Sequence, residues 1–189
     1  MRSLFTLALI PMITACMAPT GGSDRLELAN MRPWNIVPAS SAARLAGMFE
    51  RVCLDGPAPP EAAARLLRSA DYVEVPSRVP RAIRSFLVDD SRPAVMLAAD
   101  GTACAVAAQA RTGQTERIRG LVAQKYPAAR ALSPAGTGPT VDEGWSLGAG
   151  QGIVLLRRVI RPGRPSELIV IHQRDPGVEA GLAITRRPV

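Results

Sequence analysis

The order of patterns along the chain predicts an α+β fold: an antiparallel sheet of about five strands covered on one face by helices. Three observations carry this. Helical periodicity occupies the first half of the body, a tight-hairpin signal follows at Asp100-Gly101, and three strand-like runs close the chain with short connections. No internal repeat, heptad array or βα alternation competes with that reading. A length of 189 residues fits one domain, and 47% apolar against 21% charged residues excludes wholesale disorder. With only 4% aromatic residues, the core has to be built from Ala, Leu, Val and Ile.

The globular body is expected over 40–189. Ser40 or Ser41 can cap a first helix, in which Leu45, Met48, Phe49, Val52 and Cys53 recur on one face. Asp55-Gly56-Pro57 stops it. Pro59 and Pro60 open a second helix with Ala62 to Leu67 on its apolar side, and Tyr72 to Val75 is a short strand or an extended link. Pro80 to Phe86 is read as a third short helix beginning at its proline. Ala94–Ala98 and Ala103–Ala107 flank Asp100-Gly101, a dipeptide favouring the type I′ turn. A helix over Gly113 to Tyr126 buries Ile118, Leu121, Val122 and Tyr126 and ends at Pro127. Residues 131–144 are a loop rich in Gly, Pro, Thr and Ala. Ile153–Ile160, Glu167–Gln173 and Gly181–Thr185 are strands, the first two joined through Arg161-Pro162-Gly163-Arg164-Pro165.

The segment before the body has its own logic. Met1-Arg2-Ser3 is a short basic start, followed by the apolar run Leu4 to Ile13. A run of about ten apolar residues suits the core of a signal peptide and is too short to cross a bilayer, which takes about 20. It ends in Ile13-Thr14-Ala15-Cys16, which resembles the lipobox of bacterial lipoproteins: an aliphatic residue, two small ones, then the cysteine that is lipidated and becomes the mature N-terminus. The first two positions depart conservatively from the commonest pattern. The resemblance implies a signal peptide over 1–15 and Cys16 as the lipidation site, with two or three acyl chains as anchor. It also implies an envelope location, facing the periplasm from the outer membrane in a host with two membranes, since Met17 is not Asp. Plain secretion, with Cys16 incidental, is the alternative. Residues 16–39 then form the lipidated N-terminus, a Gly/Pro/Ser tether and an extended arm anchored by Trp34, which is also a candidate contact residue.

With Cys16 lipidated, Cys53 and Cys104 remain as an even pair in an oxidising compartment, which predicts a disulfide between helix and hairpin; free buried thiols are the alternative. A helix ending in Phe49-x-x-x-Cys53 and an Asp100-Gly101 hairpin carrying Cys104 are loosely similar to exported bacterial proteins with no assigned activity.

The remaining chemistry is sparse. One histidine, His172, excludes a His pair; it ends a strand and reads as structural before catalytic. No serine lies in a G-x-S-x-G elbow. Gly148-Ala149-Gly150-Gln151-Gly152 precedes a strand, not a helix, so it lacks the helix N-terminus that holds a phosphate. Asp89-Asp90 and Asp142-Glu143 read as solvated loop charge. The formal charge of +7 comes from arginines scattered along the chain without interleaved aromatics, against a nucleic-acid surface. No metal site, cofactor or catalytic residue is assigned. A candidate contact is Trp145, set among glycines and carboxylates; the rival reading, in which it begins a strand and folds inward, is the stronger of the two. The leading expectation is a lipid-anchored envelope protein with a non-catalytic binding or structural role, its partners membrane lipid and an envelope protein or polymer. An envelope-acting hydrolase with an unassigned site and a small-ligand module are the rivals.

Overall fold

The computed structural model describes residues 37–75, 82–132, 141–160 and 162–175. Cys16, Trp34 and the strand expected over 181–185 lie outside them. Helix α1 (Ala42–Met48) runs directly into a π-helical segment, Phe49–Leu54, and α2 follows at Pro60–Ser69. Strands β1 (Val73–Val75), β2 (Ile83–Leu87), β3 (Ala94–Ala98) and β4 (Ala103–Gln109) precede α3 (Gln114–Lys125). The chain continues through β5 (Arg130–Ala131), β6 (Glu143–Ser146), β7 (Ile153–Val159) and β8 (Glu167–Gln173).

Among the described residues the strands form one antiparallel sheet of eight, in the order β1-β2-β3-β4-β8-β7-β6-β5. The α+β class and the antiparallel sheet agree with the sequence, but the expected strand count of about five is corrected to eight. One extra strand comes from the segment read as a helix at Pro80. Arg84 and Phe86 alternate there with Ile83, Ser85 and Leu87, and this period of two is satisfied by pairing with both β1 and β3. Another is β1, the segment read as a short strand or an extended link, and the last two, β5 and β6, lie at the ends of the segment read as a loop: β6 pairs with the edge of β7, and β5 with β6.

The β3–β4 hairpin also differs in detail. Only Gly101 has a positive φ, 77°, so Asp100 does not adopt the type I′ geometry. The loop instead turns through Gly101 N–H donating to the Ala98 carbonyl at 3.0 Å. The Asp100 carboxylate accepts from the Thr102 backbone N–H and hydroxyl at 3.0 and 2.7 Å.

All three helices and the π-helical segment contribute to a single core on one face of the sheet. Leu45, Phe49, Val52, Ala64, Leu67, Ile118 and Val122 meet Phe86, Val95, Leu97, Val106, Val154, Leu156, Leu168 and Val170 there. Strand alternation sends Met96, Ala103, Ala105, Ala107, Leu155, Ile169 and Ile171 to the opposite face, where they are also buried. Ser41 caps α1, its hydroxyl accepting from the Arg44 N–H at 3.3 Å. Gln114, fully buried at the start of α3, ties that helix to the sheet and to the segment that leads into α1. Its amide N–H groups donate to the carbonyls of Gln109 and Ser40, at 3.0 and 3.3 Å, while its oxygen accepts from the Arg111 N–H.

Candidate functional site

The best-defined side-chain cluster is built where the π-helical segment crosses β4 and β8. The wider winding is closed by the Asp55 N–H donating to the Glu50 carbonyl at 2.8 Å, and it keeps Phe49, Val52 and Cys53 all turned to the core. Cys104 lies on the helix-facing parity of β4, so its sulfur meets that of Cys53. The two are joined in a disulfide with a Cα–Cα distance of 5.3 Å, and neither is exposed. The bridge therefore staples helix to sheet, as the sequence leads one to expect.

His172 sits beside Cys104 in the β4–β8 register and beside Val154 in the β7–β8 register. The residue is 6% exposed. Its Nδ1 lies 2.8 Å from the Cys53 carbonyl and its Nε2 3.0 Å from the Gln151 carbonyl. No side-chain oxygen is among these partners, so the ring is engaged by backbone on both sides. Gln151 belongs to the β6–β7 connection, in which Gly148, Gly150 and Gly152 all have positive φ. A Cβ at Gly152 would lie 2.1 Å from the Gln173 carbonyl oxygen, so this loop can press against the end of β8 only with glycine there. Arg174, two residues on, donates from Nη1 to the Gly101 carbonyl at 2.9 Å and from Nη2 to the Cys53 carbonyl at 3.4 Å. Burial lowers its pKa from the usual arginine value. Sequence reasoning passed over Arg174 and Gln151; an arginine close behind the apolar run Leu168–Ile171 was the available signal for the first.

A groove of about 660 Å³ lies between α1 and α3, which run side by side. Ala43, Ala46, Gly47, Gly120 and Leu121 line it together with Glu50, Glu116, Arg117 and Gln124. A second, polar cleft on the other flank of α3 contains Asp142, Glu143, Glu116, Arg119 and Arg158. Its carboxylates are neutralised: Arg119 donates to both Glu143 and Glu116, and Arg158 lies 3.8 Å from Asp142. Asp89 similarly accepts from the Arg92 side chain and from the backbone of Ser91 and Arg92, which holds its pKa well below the carboxylate range.

The scattered arginines of this region serve local ion pairing. Arg84 holds Glu74 through Nε and Nη2 at 2.7 and 2.8 Å, reaches Glu61, and lies over the Phe86 ring at 5.5 Å. Arg68 completes the network on Glu74. The Arg84 hydrogen bonds, then those of Arg68, lower the Glu74 pKa against the opposing effect of burial. Tyr72 donates to the Pro93 carbonyl at 3.0 Å beneath Arg92, and burial pushes its pKa up to about 12.

Trp145 belongs to β6, opposite Ala131 on one side and Val154 on the other. Its ring is half-buried and packs against the helix-facing core, so any contact role is confined to the part left open. Among the described residues, no group of three or more His, Cys, Asp or Glu side chains is arranged to hold a metal ion. The chain matches no protein-family model, no curated protein and no solved structure.

Proposed function

We propose that this protein is an exported lipoprotein, anchored through acylated Cys16, whose disulfide-stapled domain serves a non-catalytic binding or structural role in the cell envelope. The observation that carries this reading is the buried Cys53–Cys104 bridge. Such bridges persist where the surroundings are oxidising, as in the periplasm and beyond it, and are rare in reducing cytosol. That supports the export expected from the basic start, apolar run and Ile13-Thr14-Ala15-Cys16. Among the described residues no helix is long and apolar enough to cross a membrane. The acyl chains supply the anchor in this reading: each buried CH₂ contributes about 0.8 kcal/mol, so one chain holds marginally and two or three hold stably. The partners are membrane lipid and, through the domain, an envelope protein or polymer.

Mass spectrometry of the protein extracted from its native membrane tests the anchor. A mature N-terminus at Cys16 carrying acyl groups is the expected result, lost in Cys16→Ser, which accumulates as precursor or soluble protein. An unmodified N-terminal residue other than Cys16 overturns the lipoprotein reading.

A further inference from the structure

The protons available to His172 do not match its surroundings unless the ring is charged. Both ring nitrogens face carbonyl oxygens within hydrogen-bond distance, Cys53 at 2.8 Å and Gln151 at 3.0 Å. A carbonyl only accepts, and a neutral imidazole has one N–H and one bare lone pair. A neutral ring therefore sets a lone pair against an oxygen at one of the two contacts; an imidazolium donates to both.

The two contacts are not equally able to yield. The Cys53 carbonyl belongs to a helical segment fixed to β4 by the disulfide and to the core by Phe49 and Val52. The Gln151 carbonyl belongs to a connection of three positive-φ glycines, closed by the Leu147 N–H on the Gly152 carbonyl at 3.0 Å and the Gln151 N–H on the Gly148 carbonyl at 3.3 Å. A backbone of that kind has alternative conformations at low cost.

We propose that His172 is a proton-operated latch on the β6–β7 loop. With both nitrogens protonated, it clamps the loop to the sheet and to the end of the π-helical segment. When Nε2 gives its proton to solvent, Nδ1 keeps its bond to Cys53 and the Gln151 carbonyl turns away, freeing residues 148–151.

The charged groups around the ring are few. Just past β8, Arg174 shares the Cys53 carbonyl and opposes the charged ring; Glu167 lies at the start of that strand, opposite Gln109 and Val159. The π-helical segment carries Glu50 and exposed Arg51 and ends at Asp55; Glu50 and Asp55 are both held by Lys125. On β7, Arg157 and Arg158 lie at the far end, opposite Ile169 and Leu168. Neither β4 nor residues 147–152 carry an ionisable side chain apart from the disulfide-bonded Cys104. Of the two carbonyls that face the ring, that of Cys53 lies at the C-terminal end of the π-helical segment and that of Gln151 in the glycine-rich connection.

The test uses the one histidine of the chain as its own probe. The ¹⁵N-labelled full chain is followed by NMR between about pH 5 and pH 8, the range in which imidazole titrates. The expected result is two protonated ring nitrogens at the acid end and one, Nδ1, at the alkaline end. The amides of Gly148, Gly150 and Gly152 should shift with the same midpoint. In His172→Gln the same glycine amides should not titrate. Glycine amides that stay fixed while the wild-type ring titrates overturn the latch, as does a ring that keeps one bare nitrogen, or both protons, across the range. The wild-type co-titration decides the matter even if the variant fails to fold.

Discussion

Removing the Cys53–Cys104 bridge, by replacing both cysteines with alanine, should destabilise the domain about as much as truncating one of its large buried side chains. The bridge closes a loop whose ends are 51 residues apart in sequence. In the chain-entropy treatment, a loop of that length removes about 4 kcal/mol of freedom from the unfolded chain. The native geometry does not work against this, because the Cα–Cα distance of 5.3 Å lies within the usual disulfide range. Set against the roughly 5–15 kcal/mol by which such domains are stable, a loss of about 4 kcal/mol is a large share. Urea unfolding of the oxidised protein and of the double variant reads it directly. With a slope of about 2 kcal/mol per molar, the midpoint should fall by about 2 M. A loss below about 1 kcal/mol would refute the reasoning, as would two freely alkylatable thiols in the folded, exported protein.

Trp145→Ala should lower stability by about 2–3 kcal/mol, somewhat under the cost for a fully buried aromatic, because the ring packs against the core with part of it open. Thermal melting should show a drop on the order of 5–10 °C; an unchanged melting temperature would return the ring to a purely surface role. The Arg84–Glu74–Arg68 network should make a small acid-dependent contribution. The folded pKa of Glu74 is lowered, so its stabilisation is present above the unfolded value of about 4.3 and is lost as pH falls through the folded value. With the Glu74 side chain 34% exposed, the loss should not exceed about 1 kcal/mol. Comparing urea midpoints at neutral and acid pH for wild type and Glu74→Gln checks this; an identical pH dependence in both would disprove it.

The parts of the fold legible in the sequence are those whose own residues carry the pattern. Leu45, Phe49 and Val52 mark the first helix, and Ile118 and Val122 mark α3, because each buries a stripe against a single sheet face. The disulfide was legible for the same reason, since Cys53 falls on that stripe. The segment 83–87 was misread because Pro80 is an attractive helix start, while its strand character rests on partners on both sides, β1 and β3. The pieces β5 and β6 carry almost no signal of their own. Two and four residues long, they become strands because β7 offers an edge to β6 and β6 in turn offers one to β5. The His172 contacts were beyond reach for another reason: their partners are backbone carbonyls separated from it by 119 and 21 residues, and a carbonyl has no sequence signature.

The sheet holds one further lesson in the runs Ala94–Ala98, Ala103–Ala108 and Leu168–Ile171. A sheet with helices on one face and water on the other alternates apolar and polar residues. These runs do not alternate, and the structure shows why. Val95, Leu97, Val106 and Val170 face the helices, while Ala94, Met96, Ala105, Ala107, Ile169 and Ile171 on the opposite face are no more than 1% exposed. Continuous apolar character in the central strands thus reports burial on both faces, and the same property explains why strand orientation could not be assigned from periodicity alone. It also fits the scarcity of aromatics. With two faces to fill and only 4% Phe, Trp and Tyr, the chain builds one face from leucine, valine and two phenylalanines and the other largely from alanine and isoleucine. A polar substitution at Ala105, unexposed and set between Met96 and Ile171 in the sheet, meets the same desolvation penalty as one at Val106 on the helix side.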